Sequence, residues 1–135
     1  MDELRIERDG FSLAASYSPG GRTALVALHG AGEGTRDSRS LRHLHELLPP
    51  HGIGVVTFDR RGEGDSTGDA TRGRFDRQAD DALAVLRAID AERVGLWGYS
   101  QGGWIAPIAA ARSDEVAFLV LVASIARSTA SASSA

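Results

Sequence analysis

The residues with the clearest chemical potential lie in the segment Gly98-Tyr99-Ser100-Gln101-Gly102-Gly103. This segment has the pattern G-x-S-x-G, and it joins a short apolar run, residues 94–97, to a stretch of small residues with helical character. A sharp strand-to-helix turn exposes the side chain at its tip, and it needs glycines at Gly98 and Gly102 because any larger residue would collide with the neighbouring elements. Ser100 is therefore a candidate nucleophile for acyl transfer.

Length and composition limit what this serine can belong to. The chain has 135 residues, of which 42% are hydrophobic and 24% charged. These values are typical of one small globular domain, and no apolar run is long enough to cross a membrane. The start, Met1-Asp2-Glu3-Leu4-Arg5, is charged and lacks the apolar segment of a secretory signal. We therefore expect a cytoplasmic protein without membrane association.

The charged and metal-binding residue types argue against several other classes. The chain has no cysteine, which excludes disulfides, cysteine zinc sites and thiol nucleophiles. All 15 basic residues are arginines scattered among acidic residues, and the net charge is −3, so a nucleic-acid partner is not expected. The histidines His29, His43, His45 and His51 have no spacing that favours a shared metal ion. We predict no metal and no cofactor.

The chain is predicted to begin with a β-hairpin and to continue with buried strands. Residues 4–8 and 11–17 alternate in polarity on either side of Asp9-Gly10, a turn signal. Four later runs are apolar at nearly every position, as expected for strands buried on both faces of a parallel sheet: residues 24–28, 53–58, 94–97 and 116–122.

Helical patterns separate these strands. Leucines recur at helical spacing over residues 41–48 and end at Pro49-Pro50, a second amphipathic pattern covers residues 79–89, and a third helix is predicted over 101–112, with Trp104 in the core. This alternation predicts an α/β fold with a mostly parallel sheet and helices on both faces. Ligands of such sheets bind beyond the carboxyl ends of the strands, where three loops follow residues 28, 58 and 97.

With these three loops in order, the chain resembles the α/β-hydrolase family, in particular its serine aminopeptidase-like and esterase-like members. The resemblance depends on His29-Gly30-Ala31-Gly32 after the first parallel strand, on Asp59-Arg60-Arg61-Gly62-Glu63-Gly64-Asp65-Ser66 after the second, and on the Ser100 segment after the third. It covers residues 1–122 as a partial hydrolase domain. The Ser/Ala-rich residues 123–135 lack a core-forming pattern and are expected to be a disordered tail.

The resemblance implies a small-molecule ester or peptide-like amide substrate that forms an acyl-enzyme on Ser100. The backbone N–H groups of Gln101 and Ala31 would form the oxyanion hole, and each such donor is typically worth about 3 kcal/mol in the transition state. In the resemblance His29 and Gly30 support the oxyanion loop. The loop that begins at Asp59 is expected to be scaffold, in which Asp59, Arg61 and Ser66 satisfy one another and nearby backbone.

The triad partners implied by the resemblance are absent. In this family the nucleophile is followed by an acid and then by a histidine. The 35 residues after Ser100 contain Asp114 and Glu115 before the last strand, and no histidine. We therefore expect an amino-terminal half, truncated after about six strands, with impaired or absent activity. Strand 116–122 would be a bare apolar edge through which the chain self-associates.

Two other interpretations remain open from the sequence. The chain can be a non-catalytic remnant, or a module that another chain completes. Alternatively, Gly30-Ala31-Gly32-Glu33-Gly34 after a strand and Asp59 after the next resemble the fingerprint of a dinucleotide-binding domain. In that pattern the third glycine falls one residue early, at Gly34 instead of Thr35, and the Ser100 segment has no role.

Overall fold

The computed structural model describes residues 1–123, which form six strands and three α-helices. In chain order these are β1 (Asp2–Glu7), β2 (Ser12–Ser18), β3 (Thr23–Leu28), α1 (Arg39–Leu47), β4 (Ile53–Phe58), α2 (Phe75–Arg87), β5 (Arg93–Tyr99), α3 (Gly102–Arg112) and β6 (Val116–Val122). A short 3₁₀ turn, Pro49–His51, separates α1 from β4. The tail predicted over 123–135 lies, apart from Ala123, outside the described residues.

The strands form one sheet in the order β1-β2-β4-β3-β5-β6. β1 and β2 are the predicted hairpin, β2 pairs antiparallel with β4, and β3, β4, β5 and β6 run parallel. The chain moves from β3 to β4 on one side and then returns past β3 to β5 on the other. Right-handed crossovers in opposite directions place their helices on opposite faces and open a crevice at the carboxyl ends of the strands. The predicted α/β class is confirmed.

Each face of the sheet has its own apolar layer, because successive strand residues point to opposite sides. In β3, Ala24, Val26 and Leu28 belong to the core covered by α2 and α3, whereas Leu25 and Ala27 pack with the leucines of α1. The helices thus cover both faces, and the loops after β3, β4 and β5 meet at one edge.

Trp104 differs from its predicted position. It is 41% exposed, whereas Ile105, Ala106 and Ala109 on the same helix are buried. The buried stripe of α3 starts at Gly102 and continues at positions i+3, i+4 and i+7, and Trp104 lies about 200° from Gly102 around the helix axis. The prediction of core packing was wrong because small residues, which permit a close approach to the sheet, define the buried face.

β6 is the edge strand of the described sheet. Its seven residues are all apolar, and Leu119, Val120 and Leu121 are 37%, 40% and 48% exposed. Natural edge strands are usually protected by charges, prolines or bulges. The sequence of β6 contains no charged residue or proline, and its pairing with β5 has one register shift, between Val94 and Leu96. Apolar side chains of this strand are therefore exposed at the edge of the described sheet.

We expect β6 to pair with β6 of a second copy of the chain, so that the 135-residue protein self-associates. Leu121→Lys should shift the population towards monomer, because a charge on an edge strand disfavours strand addition. Leu47→Lys, at a 59% exposed position on α1, is the matched control and should leave association unchanged. Analytical ultracentrifugation measures both, and a monodisperse wild-type monomer would contradict the expectation.

In the described part of the chain, no helix is long and apolar enough to span a membrane. The cytoplasmic location stays a prediction.

Candidate active site

Ser100 lies at a tight turn between β5 and α3. Its φ is +52°, a left-handed conformation that typically costs a non-glycine residue about 1–2 kcal/mol. Two backbone hydrogen bonds hold this turn: the Ser100 N–H donates to Val122 O in β6 at 2.9 Å, and the Gly103 N–H donates to Ser100 O at 3.0 Å. The residue is exposed at the carboxyl edge of the sheet.

The glycines around Ser100 are required by backbone packing. A Cβ atom at Gly98 would lie 2.5 Å from Gly102 O, and one at Gly102 would lie 2.6 Å from Leu28 O. A Cβ atom at Gly30 would lie 3.3 Å from the Tyr99 ring and 3.5 Å from Ser100 Cβ. The loop after β3 is therefore packed directly against the Ser100 turn, and the structure brings these predicted site residues together.

The two backbone segments predicted to form the oxyanion hole lie at this same edge. Gln101 directly precedes the first residue of α3, and no side chain caps this helix end. The amino-terminal N–H groups of a helix favour negative charge nearby. Ala31 is exposed in the loop that contacts Ser100 through Gly30. This arrangement can place two backbone donors beside a carbonyl group attacked by Ser100.

His29 is buried at the start of the loop after β3 and is bonded within that loop. Its side chain contacts the Phe58 ring edge-on, at 5.9 Å between ring centroids, and its Nε2 lies 2.9 Å from Thr35 O. Because a carbonyl oxygen only accepts, Nε2 carries the proton and donates it to this bond. Burial lowers the pKa of His29 to about 4, so the ring is neutral at neutral pH.

This burial predicts that the domain loses stability on acidification. The pKa of His29 is about 4 when folded and 6.5 without perturbation, so between these values the unfolded chain binds a proton that the folded chain does not. The free energy of unfolding therefore has its full value above pH 6.5. It decreases as the pH falls towards 4, by about 3 kcal/mol in total from His29. In His29→Gln, whose amide can still donate to Thr35 O, the free energy of unfolding should depend less on pH.

Urea titrations between pH 4 and pH 8 measure this effect. His51→Gln, at an exposed position, is the control and should keep the wild-type pH dependence. His45 contributes to the same slope, because burial also lowers its pKa. An identical slope in wild type and His29→Gln would show that His29 is not responsible.

The other three histidines lie at separate places in the fold. His43 packs edge-on against Trp97, with 6.4 Å between ring centroids. His45 lies 2.8 Å from both Ser18 Oγ and Thr57 Oγ1 and so connects α1 to β2 and β4. His51 is in the turn before β4, at the amino end of that parallel strand. Their placement does not assign any of them as a base for Ser100.

Asp59 organises the loop after β4 from a buried position. It is 1% exposed, and its carboxylate accepts hydrogen bonds from the backbone N–H of Arg36 at 2.5 Å, from the Arg36 guanidinium, and from the Asp65 N–H at 2.8 Å. Ser66 Oγ donates to Asp59 O at 2.6 Å and accepts from the Ala14 N–H at 2.9 Å. This network connects the loop after β4 to the loop after β3, through Arg36, and to β2, through Ala14.

The expected partners of Arg61 were wrong. Its guanidinium makes a two-point contact with Asp81 of α2, at 2.9 and 2.7 Å, and lies 3.9 Å above the centre of the Phe11 ring. The Arg61 side chain therefore points towards α2, and Arg36 takes the position beside Asp59. Neither partner was accessible from motif spacing, because both pairs join segments at least 20 residues apart.

Two arginines to which the sequence assigned no role contact the loop after β3. Arg60 donates to Gly30 O at 2.7 Å, and Arg72 donates to Ala31 O at 2.7 Å and to Gly32 O at 3.0 Å. The only sequence signal was their place in the polar loop between β4 and α2. The loop that contains a predicted oxyanion donor is thus bonded at three consecutive carbonyl groups.

Residues 1–123 contain no group of three or more His, Asp or Glu side chains arranged to hold a metal ion.

Comparison with known proteins finds relatives of similar sequence and fold. A 37% identical segment of 75 residues occurs in an uncharacterized 31.7 kDa protein of Escherichia coli from the traX-finO intergenic region, covering 51% of this chain and 26% of that protein. The α/β hydrolase GrgF from Penicillium sp. sh18 is 25% identical with a TM-score of 0.78, over 95% of this chain and 47% of that one.

A second solved structure, Est1E from Butyrivibrio proteoclasticus with ferulic acid bound, is 25% identical with a TM-score of 0.73. It is matched over 86% of this chain and 50% of its own. The chain therefore spans about half the length of these solved structures and about a quarter of the Escherichia coli protein. The family model for the alpha/beta hydrolase fold matches residues 23–134, so this chain belongs to the α/β hydrolase fold family.

Proposed function

We propose that this chain forms the nucleophile-bearing half of a serine hydrolase that acts on small esters or amides. The observation that supports this most directly is the exposed Ser100 at a left-handed turn, with the start of α3 behind it and the Gly30 loop packed against it. Membership in a hydrolase fold family and the similarity to Est1E, solved with ferulic acid, support the same class.

In the proposed reaction, Ser100 Oγ attacks the substrate carbonyl carbon while a general base takes the hydroxyl proton. The negative charge that develops on the carbonyl oxygen is stabilised by the N–H groups of Gln101 and Ala31. Collapse of this intermediate breaks the bond to the alcohol or amine, which leaves with the proton. Water then attacks the acyl-serine in the same way and releases the acid.

The base and the acid of this reaction are not supplied by the residues described above. His29 is buried with its Nε2 bonded to Thr35 O, and the rings of His43 and His45 contact other residues. The sequence contains no histidine after His51. We therefore propose that another polypeptide segment provides both groups, and that the 135 residues alone turn over slowly or not at all.

The dinucleotide-binding alternative is not favoured. A ribose would need the Asp59 carboxylate, which is 1% exposed and accepts hydrogen bonds from Arg36 and Asp65. A pyrophosphate would need free approach to the glycine loop, which packs against Ser100 and Tyr99 at Gly30. The remaining alternative is a remnant with no catalytic role, which experiment separates from an incomplete hydrolase.

The test is to mix the chain with the carboxyl-terminal half of a related α/β hydrolase, one that carries the acid and the histidine, and to assay p-nitrophenyl acetate. The proposal expects activity only in the mixture, and it expects Ser100→Ala to abolish that activity. Co-purification of the two halves establishes that they associate. Association without any Ser100-dependent hydrolysis would overturn the proposal and favour the remnant.

A further inference from the structure

Three consecutive carbonyl groups of the loop after β3 accept hydrogen bonds from two arginines of the loop between β4 and α2. Arg60 donates to Gly30 O at 2.7 Å and to Gly32 O at 3.4 Å. Arg72 donates to Ala31 O at 2.7 Å and to Gly32 O at 3.0 Å. We call Arg60 and Arg72 the arginine pair.

Glu63 holds the arginine pair in place. One of its carboxylate oxygens lies 3.1 Å from Arg60 and the other 2.7 Å from Arg72. The Arg60 side chain is 4% exposed, and its own backbone N–H donates to Gly34 O at 2.7 Å. A buried guanidinium with its carboxylate partner is costly to displace, so this contact is a fixed part of the loop.

These contacts determine the orientation of the Ala31 N–H. A trans peptide is planar, and its C=O and N–H groups point in opposite directions. The peptide that contains Gly30 O also contains the Ala31 N–H, so the bond to Arg60 directs that N–H away from Arg60. Arg72 holds the next peptide at Ala31 O. Both peptide planes that flank the Ala31 Cα are therefore restrained, although alanine has no polar side chain of its own.

Arg60 also changes the strength of the Ala31 donor, because it bonds the carbonyl group of the same peptide. A hydrogen bond from a charged group to a carbonyl oxygen polarises the peptide, which makes the N–H of the same peptide a better donor. An oxyanion donor acts best when it is oriented before the reaction, because no reorganisation is then needed as the charge develops. Orientation and polarisation thus act in the same direction at Ala31.

We propose that Arg60 and Arg72 are positioning residues for the oxyanion hole, which hold the backbone N–H of Ala31 in the orientation that stabilises negative charge at Ser100. This inference rests on the proposed function. It assigns to the loop between β4 and α2 a role in catalysis that acts through the backbone of the first loop and requires no contact with substrate.

The first test compares Arg72→Ala with Arg74→Ala. Both side chains are 51% exposed and both precede α2, but Arg74 pairs with Asp76 at 3.4 Å and does not contact the loop. The readout is phosphonylation of Ser100 by a fluorophosphonate probe in imidazole buffer, which supplies a base in solution. We expect the maximal rate to fall about tenfold or more in Arg72→Ala, with unchanged probe affinity and melting temperature, because misplacing one oxyanion donor mainly affects the transition state.

A second measurement does not depend on hydrolase chemistry. Amide ¹⁵N chemical shifts report hydrogen bonding at the carbonyl of the same peptide, so Arg72→Ala should move the signals of Gly32 and Glu33. Arg74→Ala should leave them in place. Arg72→Lys should recover only part of the labelling rate, because a single ammonium group does not reproduce the two-pronged contact of a guanidinium.

The two readouts separate the two proposals. Labelling that Ser100→Ala abolishes, slowed in Arg72→Ala and not in Arg74→Ala, supports both. Normal labelling of Arg72→Ala overturns the positioning role, whether or not the shifts move. If the wild-type chain alone is not labelled, the same variants are compared in the mixture with the carboxyl-terminal half, where absence of Ser100 labelling overturns the proposed function. Unchanged shifts of Gly32 and Glu33 in Arg72→Ala overturn the positioning role independently of any labelling.

Discussion

Assayed alone, the 135-residue chain should hydrolyse p-nitrophenyl acetate no more than about tenfold faster than its Ser100→Ala variant. Loss of the histidine from a serine triad lowers turnover about a millionfold, and the remaining acceleration over water, about a thousandfold or more, comes from the oxyanion hole and substrate binding. Because no described histidine is assigned to Ser100, only this remainder is expected here.

Imidazole, which supplies a base in solution, distinguishes a site that lacks only its base from a site that is inactive for other reasons. If Ser100 and its backbone donors are in place, imidazole in the buffer should raise the wild-type rate above that of Ser100→Ala, after correction for hydrolysis by imidazole itself. Ser113→Ala, at the end of α3, is the control serine and should behave as wild type. Fast labelling by a fluorophosphonate in plain buffer, lost in Ser100→Ala, would show that a base is present after all.

The architecture around Ser100 was predictable because it depends on local patterns. Runs of apolar residues identify buried strands, and glycines before and after Ser100 identify a tight turn between a strand and a helix. The β6 range predicted from the sequence is the observed one, Val116–Val122. α2, in contrast, begins at Phe75, four residues before the first predicted apolar position, Ala79. Phe75 packs against the core at helical spacing from Ala79, but three polar residues separate the two, and the predicted pattern began only after them.

The polar contacts between the loops were not predictable, because they join segments distant in the chain. Among 15 arginines, nothing in the local sequence distinguishes Arg36, which pairs with Asp59, from Arg61, which pairs with Asp81. Spacing predicts which loops meet at one sheet edge, but it does not predict which side chain reaches across. The contacts of Arg60 and Arg72 with the loop after β3 were not predictable for the same reason.

Gly102→Ala should destabilise the domain, although Gly102 is the first residue of a helix. Helix propensity alone favours alanine over glycine by about 1 kcal/mol within a helix. At this position the added Cβ would lie 2.6 Å from Leu28 O and 2.9 Å from His29 O. Both oxygens belong to the backbone at the end of β3 and the start of the loop that follows it, so neither can move without shifting that loop. Overpacking of this kind costs about 1–3 kcal/mol, which outweighs the propensity gain.

Gly32→Ala is the matched control for stability. A Cβ at Gly32 has no atom within 4 Å, so alanine should be tolerated or slightly stabilising there through the lower entropy of the unfolded chain. Thermal and urea unfolding of the two variants measure the contrast, and Gly102→Ala should have the lower melting temperature and free energy of unfolding. If Gly102→Ala proved as stable as wild type, the close approach between the start of α3 and the end of β3 would be wrong. The backbone donor at Gln101 would then no longer be held beside the loop of Ala31, because the same approach fixes both sides of the proposed oxyanion hole.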